Sequence, residues 1–355
     1  MVDRSEAIRV APVSSDDCRA RLLAGLRAAD SLTQVEAARL LGEVGGDWAV
    51  DPLAEHAAAS RHYTKTVAIE SLRRIGARRA AATMRRLVAA PNVPDDWYWH
   101  GFRSVRAAAA LALLEWGDEF GIPTLEAMAE KGDVVFFVWY APTILRLPDA
   151  ISSARKLKER LTPATLCDGA GPAPIPVDPA HWVMVIEALE TIGTPVAAEH
   201  VQSLLGHFSR YVRGRAVTAL AAMVPATGRS LARRLFVEDP AEFTRIQAAR
   251  ALARGGDLPV VNDLERIAMS AGDPFDQAVA LRALGEIGDP RRAAPAEAAL
   301  SHADPWVRQA AVESLPRMGA PSAETAVRHA LNDPAPTVRL QAVAALIASD
   351  RSDAP

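Results

Sequence analysis

The stretch that decides the fold runs from Asp304 to Gly319: Asp304-Pro305-Trp306-Val307-Arg308-Gln309-Ala310-Ala311-Val312-Glu313-Ser314-Leu315-Pro316-Arg317-Met318-Gly319. Aspartate before proline reads as a helix start. The carboxylate can accept a backbone N–H of the first turn, and proline has no N–H to leave unpaired there. Val307, Ala310 and Leu315 then fall on one face at helical spacing, with alanine where a neighbouring backbone comes close. Gly319 can take the left-handed conformation that stops a helix.

The same pattern recurs on either side. Asp333-Pro334 leads to Val338-Arg339, Ala342 and Leu346; Asp239-Pro240 leads to Thr244-Arg245, Ala248, Leu252 and Gly256; Asp273-Pro274 leads to Ala283, Leu284 and Gly288. Gly256, Gly288 and Gly319 are 32 and 31 residues apart, and Gly45 and Gly76 are 31 apart, so one period reaches both ends of the chain. After the glycine the next helix opens with a cap and a proline, as in Gly193-Thr194-Pro195 and Gly288-Asp289-Pro290. The period predicts ten helical hairpins. Their second helices are expected over 31–44, 61–75, 98–116, 133–146, 180–192, 208–223, 241–254, 274–287, 305–318 and 334–348. First helices are expected to begin near 17, 47, 77, 120, 148, 194, 226, 257, 289 and 320. A hairpin of this size cannot bury its apolar face alone, so the expectation is an all-α solenoid, one stack over 17–350 between polar tails at 1–16 and 351–355.

Composition agrees. Half of the 355 residues are hydrophobic but only 5% are aromatic, so the apolar content is mostly Ala, Leu and Val, with no alternating β-branched runs for a sheet. A formal charge of −3 argues against nucleic acid as the partner. Cys18 and Cys167 provide neither metal spacing nor a disulfide framework. The N-terminal residues have no apolar core of the signal-peptide kind, and the apolar run 134–145 is too short to span a bilayer. A cytoplasmic protein without membrane contact, cofactor or metal is expected.

The pattern Asp-Pro-x-x-x-Val-Arg-x-x-Ala-x-x-x-Leu resembles HEAT repeats, of the kind named after phycobilisome lyases, from about residue 17 and most closely from Gly193 onward. The resemblance implies a right-handed superhelix with second helices lining a concave surface. It also implies a range of functions: protein-binding scaffolds, chromophore lyases, an iron hydroxylase and alkyl-base DNA glycosylases.

Two segments break the period and are the places to look for function. One is 91–97 (PNVPDDW), inside the third hairpin; the other is 162–179 (TPATLCDGAGPAPIPVDP), inside the fifth, whose Pro/Gly content argues against helix. Around them cluster nine of the chain's 19 aromatics: Trp97, Tyr98, Trp99 and Phe102; Phe136, Phe137, Trp139 and Tyr140; and Trp182. Stacked at the starts of neighbouring second helices, they would line a recess rimmed by Asp95 and Asp96. Phe136, Phe137 and Tyr140 also fall at the spacing of a buried stripe, so core packing and a recess both account for them. Three consecutive aromatics at 97–99 cannot all face one core.

The leading expectation is an interaction module that binds a protein partner, with Trp97, Tyr98, Trp99, Phe102, Phe136, Trp139, Tyr140, Trp182 and Tyr211 as an aromatic hot spot. One alternative is a small-molecule or lyase-type enzyme for a planar or cationic ligand, with Asp95, Asp96, His100 and His181 as the first catalytic candidates. Another is an alkylpurine DNA glycosylase, in which aromatic faces and a carboxylate hold a cationic base. It would need Arg103, Arg106, Arg210, Arg213, Arg215, Arg245, Arg308 and Arg339 as a phosphate track. Against that, the arginine after valine belongs to the repeat, where it can pair with the Asp-Pro aspartate of a neighbouring hairpin. The iron-hydroxylase reading needs His-Glu pairs, and the sequence has none.

Overall fold

The computed structural model describes residues 14–60, 62–90, 105–130, 134–148, 152–167, 179–257 and 259–352. Within them every regular element is a helix. In chain order these are α1 (Ser15–Gly25), α2 (Ser31–Val44), α3 (Asp47–Ala59), α4 (His62–Ile75), α5 (Ala81–Ala89), α6 (Val105–Glu115) and α7 (Ile122–Glu130). They continue with α8 (Val134–Arg146), α9 (Ser152–Glu159), α10 (Pro163–Cys167), α11 (Pro179–Ile192), α12 (Pro195–Ser203), α13 (Arg210–Met223) and α14 (Pro225–Glu238). The last are α15 (Glu242–Arg254), α16 (Pro259–Ser270), α17 (Pro274–Ile287), α18 (Ala294–Ala299), α19 (Pro305–Met318), α20 (Ala323–Ala330) and α21 (Pro336–Ser352).

The ten second helices are α2, α4, α6, α8, α11, α13, α15, α17, α19 and α21, each at its expected place. The described part of the third begins at Val105, because 98–104 lie outside the described residues. The segment 162–179 departs from expectation. Residues 163–167 form the short α10, because Pro163 sits in its first turn and Thr162 and Thr165 cap it reciprocally, with Thr165 N–H donating to Thr162 Oγ1 at 3.1 Å.

The helices belong to two compact units. One contains the described residues 45–257 and 259–264; the other combines 14–44 with 265–352, the division falling inside α16. In the first unit successive second helices pack in sequence order, α4 on α6, then α8 on α11, α11 on α13 and α13 on α15. In the other the order is α17, α19, α21 and then α2, so the first hairpin stacks beyond the tenth.

The cores are the predicted stripes. Val307, Ala310, Ala311, Leu315 and Met318 of α19 are buried, and in α6 every residue from Ala107 to Leu114 is at most 1% exposed. Short side chains let helices approach closely while burying little area each, so stability comes from many such layers. Asp304 accepts the Trp306 N–H at 2.8 Å and Asp273 that of Phe275 at 2.9 Å, while Gly319 and Gly288 close these two helices with φ of 66° and 72°.

Candidate functional site

The starts of the second helices share one device. Arg213, Arg245, Arg308 and Arg339 each turn back on the loop before their own helix and donate to the carbonyls six and five residues earlier. For Arg213 these are His207 and Phe208, at 2.9 and 3.0 Å, and for Arg308 they are His302 and Ala303, both at 2.9 Å. Arg245 holds Asp239 and Pro240, and Arg339 holds Asp333 and Pro334. The residue six before the arginine is His or Asp, whose side chain accepts the N–H two residues on: Ser209 for His207, Ala241 for Asp239, Asp304 for His302 and Ala335 for Asp333. Burial and the Arg213 charge push the His207 pKa down, in keeping with a neutral ring accepting at Nδ1.

Where that residue is aspartate, it also meets the arginine of the preceding hairpin. Arg213 clasps Asp239 at 2.7 and 2.8 Å, and Arg308 clasps Asp333 at the same distances. Burial alone would push both carboxyls up; hydrogen bonds from the guanidinium and the backbone outweigh it and hold them below the usual carboxylate range. In Asp239 and Asp333 the aspartate thus stands three residues ahead of its helix rather than at its cap. These aspartates occupy the position that His207 and His302 hold in the other two loops, so each stands six residues before the arginine of its helix, whereas Asp304 stands four before Arg308.

These clasps hold an aromatic row at the ends of α11, α13 and α15. The Trp182 ring lies 6.0 Å from His207, and His207 lies 4.3 Å from Phe208 at an angle of 30°. Tyr211 meets Phe243 edge-on at 5.0 Å, with the Arg210 guanidinium over both rings at 5.0 and 5.9 Å. Gly214 makes room for this. A Cβ there would stand 2.8 Å from the Phe243 ring and 3.0 Å from Gln247, so α13 gives up helix propensity for a close approach. Phe208 is 69% exposed and Tyr211 39%, so the row faces solvent.

Of the residues singled out in the sequence, Tyr211 and Trp182 belong to this row. Trp139 is half-buried in α8. Tyr140 and His181 are buried, at 2% and 3%. Tyr140 lies on the stripe of Ala141, Ile144 and Leu147, and His181 on that of Val185, Ala188 and Leu189. Phe136 lies within α8, and Asp95, Asp96, Trp97, Tyr98, Trp99, His100 and Phe102 lie outside the described residues. Sequence reading missed Phe208 and Phe243, and placed Arg210 on a phosphate track rather than against the Tyr211 and Phe243 rings. Their signal was register, since Tyr211 and Phe243 are both the second residue of a second helix.

Of the arginines proposed as a phosphate track, Arg103 lies outside the described residues, and the others are engaged within the repeat. Besides the clasps, Arg215 pairs with Glu190 across α11 and α13, and Arg106 donates to the Val88 carbonyl at 3.1 Å. Further pairs cross neighbouring second helices: Arg73 with Glu115 at 2.7 Å, Arg146 with Glu187 at 3.0 Å and Arg282 with Glu313 at 2.8 Å. Among the described residues no group of three or more His, Cys, Asp or Glu could hold a metal ion, and no helix is long and apolar enough to cross a membrane.

Comparison with known proteins points the same way. Residues 198–284 and 261–347 match the sequence profile of a family described as HEAT repeats. No curated protein matches. Among solved structures, the complex of CpcE and CpcF of phycocyanin lyase from a Nostoc species aligns at 19% identity over 90% of this chain and 98% of that one, with a TM-score of 0.34. Human deoxyhypusine hydroxylase aligns at 16% identity over 88% of this chain and 99% of its own, with a TM-score of 0.36. At such scores neither carries an activity across. The matched profile and the helical hairpins with their arginine clasps agree: over residues 198–347 this chain is built of HEAT repeats.

Proposed function

We propose that the protein is an interaction scaffold that holds a protein partner on the aromatic row of Trp182, His207, Phe208, Tyr211 and Phe243, with Arg210 stacked against it. The observation that carries this reading is the exposure of Phe208 and Tyr211 beside ordered rings. Folding gains nothing from leaving such rings in water, and Trp, Tyr and Arg are the side chains that dominate binding hot spots. Trp139, half-buried like Trp182, would extend the surface toward the fourth hairpin, where the sequence concentrates its aromatics.

A photo-crosslinking amino acid placed at Phe208 tests this in cells, with the same group at Val237, 77% exposed on α14, as the control. The expected result is a discrete adduct from position 208 that is absent from 237 and lost when Tyr211→Ala is added. Identical smears from both positions would sink the proposal.

A further inference from the structure

The second residue of a second helix is a recurrent apolar position. In the six second helices whose starts are described, it is aromatic four times (Tyr211, Phe243, Phe275 and Trp306) in a chain that is 5% aromatic. Core packing does not require this where burial can be read. The stripe of α19 begins at Val307, and the side chain before it projects off the helix end: Trp306 is 49% exposed, Phe275 43% and Leu32 52%.

In the unit formed by the two chain ends, α17, α19, α21 and α2 are successive neighbours, so Phe275, Trp306, Thr337 and Leu32 form one row. Packed helices stand about 8–10 Å apart, which sets the step of the row. A polyproline II helix has three residues per turn and a rise of about 3.1 Å, so it repeats every ~9.3 Å and can offer one side chain to each step. An α-helix, with a pitch of about 5.4 Å, and a strand, repeating every ~6.8 Å, fall out of step. Aromatic-lined surfaces are what proline-rich segments dock against.

Charge narrows the partner further. The carboxylates of Asp30, Asp273 and Asp304 stand at the helix ends that carry the row, each accepting a backbone N–H. Of the cations at the same edge, Arg308 is neutralised by the bidentate Asp333, and Arg339 is turned back onto two carbonyls of its own loop. We propose that the row of Phe275, Trp306 and Leu32 docks an extended proline-rich segment of a partner protein, about ten residues long, with arginine or lysine beside its prolines. The proposal rests on the reading of this chain as a protein-interaction scaffold and names the class of segment it takes.

The probe is a fluorescein-labelled decaproline peptide flanked by arginines, titrated into the full chain and read by anisotropy. Its comparator is a Gly-Ser peptide of equal length and charge. Saturable binding of the proline peptide is expected, weakened about tenfold by Trp306→Ala and by Phe275→Ala, and weakened by Asp304→Asn, which keeps the cap. Because Trp306 is half exposed, Trp306→Ala should leave thermal unfolding near that of the parent. Absence of saturable binding up to millimolar peptide, or equal binding of the Gly-Ser peptide, overturns the proposal. A photo-crosslinker at Trp306 separates two kinds of failure. If it still captures the adduct found from Phe208, the scaffold reading stands and the proline-rich class falls; if neither position captures one, both fall.

Discussion

Replacing Asp239 by alanine should cost far more than replacing a surface carboxylate, and the size of the loss follows from burial. The Asp239 side chain is 2% exposed and that of its partner Arg213 is 12%. Removing one member of a buried pair strands the other charge, at about 3–5 kcal/mol, and the Ala241 N–H loses its acceptor as well, at about 1 kcal/mol. The comparator is Arg146–Glu187, whose side chains are 58% and 30% exposed and whose loss should cost about 0–1 kcal/mol. Urea unfolding followed by circular dichroism measures both. The double variant Arg213→Met with Asp239→Ala should lose less than the sum of the singles, since it leaves no stranded charge. The pH dependence has a fixed sign. The folded Asp239 pKa lies below its ordinary value, so its contribution is complete above about pH 4 and disappears as pH falls through the folded value. The gap between parent and Asp239→Ala should therefore hold from about pH 7 to 5 and shrink toward pH 3. A gap under about 1 kcal/mol at pH 7, or one that widens on acidification, would refute the clasp as a source of stability.

Gly214→Ala should push the Phe243 ring off Tyr211, because the new Cβ would stand 2.8 Å from a rigid ring; a fluorinated phenylalanine at 243 would report the shift by NMR, and an unchanged spectrum would contradict the packing. Gly25→Val should destabilise the first hairpin by about 1–3 kcal/mol, since even a Cβ there meets Ala37 at 2.7 Å and Leu340 at 3.2 Å; hydrogen exchange in α1 and α21 should rise together, and a rise in α1 alone would argue against their packing. Glu36→Leu leaves the buried Gln309 amide without its 2.7 Å acceptor and should cost about 1–3 kcal/mol in thermal or urea unfolding, whereas the double Glu36→Leu with Gln309→Leu should recover part of it.

The repeat was legible because its signals are local. Asp304, Val307, Ala310, Leu315 and Gly319 lie within one helix, and each has a separate reason to sit where it does. The arginine ladder was legible for the same reason, since a fixed offset from valine marks it. Position relative to the core was harder. Tyr140 and Trp139 are adjacent aromatics in one helix, yet one is buried and the other half-buried, a difference set by the angle α8 presents to its neighbours. Counting aromatics by cluster drew attention to the irregular segments. Counting them by register shows a second set, Tyr211, Phe243, Phe275 and Trp306, spread one per hairpin and therefore never dense enough to stand out.

The order of hairpins in the unit formed by the chain ends answers a problem every solenoid has. An end hairpin leaves an apolar face that no next repeat covers, and it needs a cap with a polar outer side. Here the first hairpin takes the place of an eleventh. Its α1 and α2 both lie against α21, Gln309 of α19 bonds Glu36 inside the interface, and Arg39 reaches Gln341 at 3.3 Å. Ser15 and Asp350 are joined across the two chain ends. The residues brought together are about 300 apart in sequence, so closing this contact costs loop entropy that the local stacking elsewhere does not. Polar groups carry much of it: the buried Glu36 carboxylate, paired with Arg39, accepts from the buried Gln309 amide. That suits an interface which must choose α21 over any other hairpin of the same repeat, because an unpaired buried amide penalises every wrong partner. The regular Ala-Leu stripe supplies adhesion between any two hairpins, and the polar residues at the seam select which two.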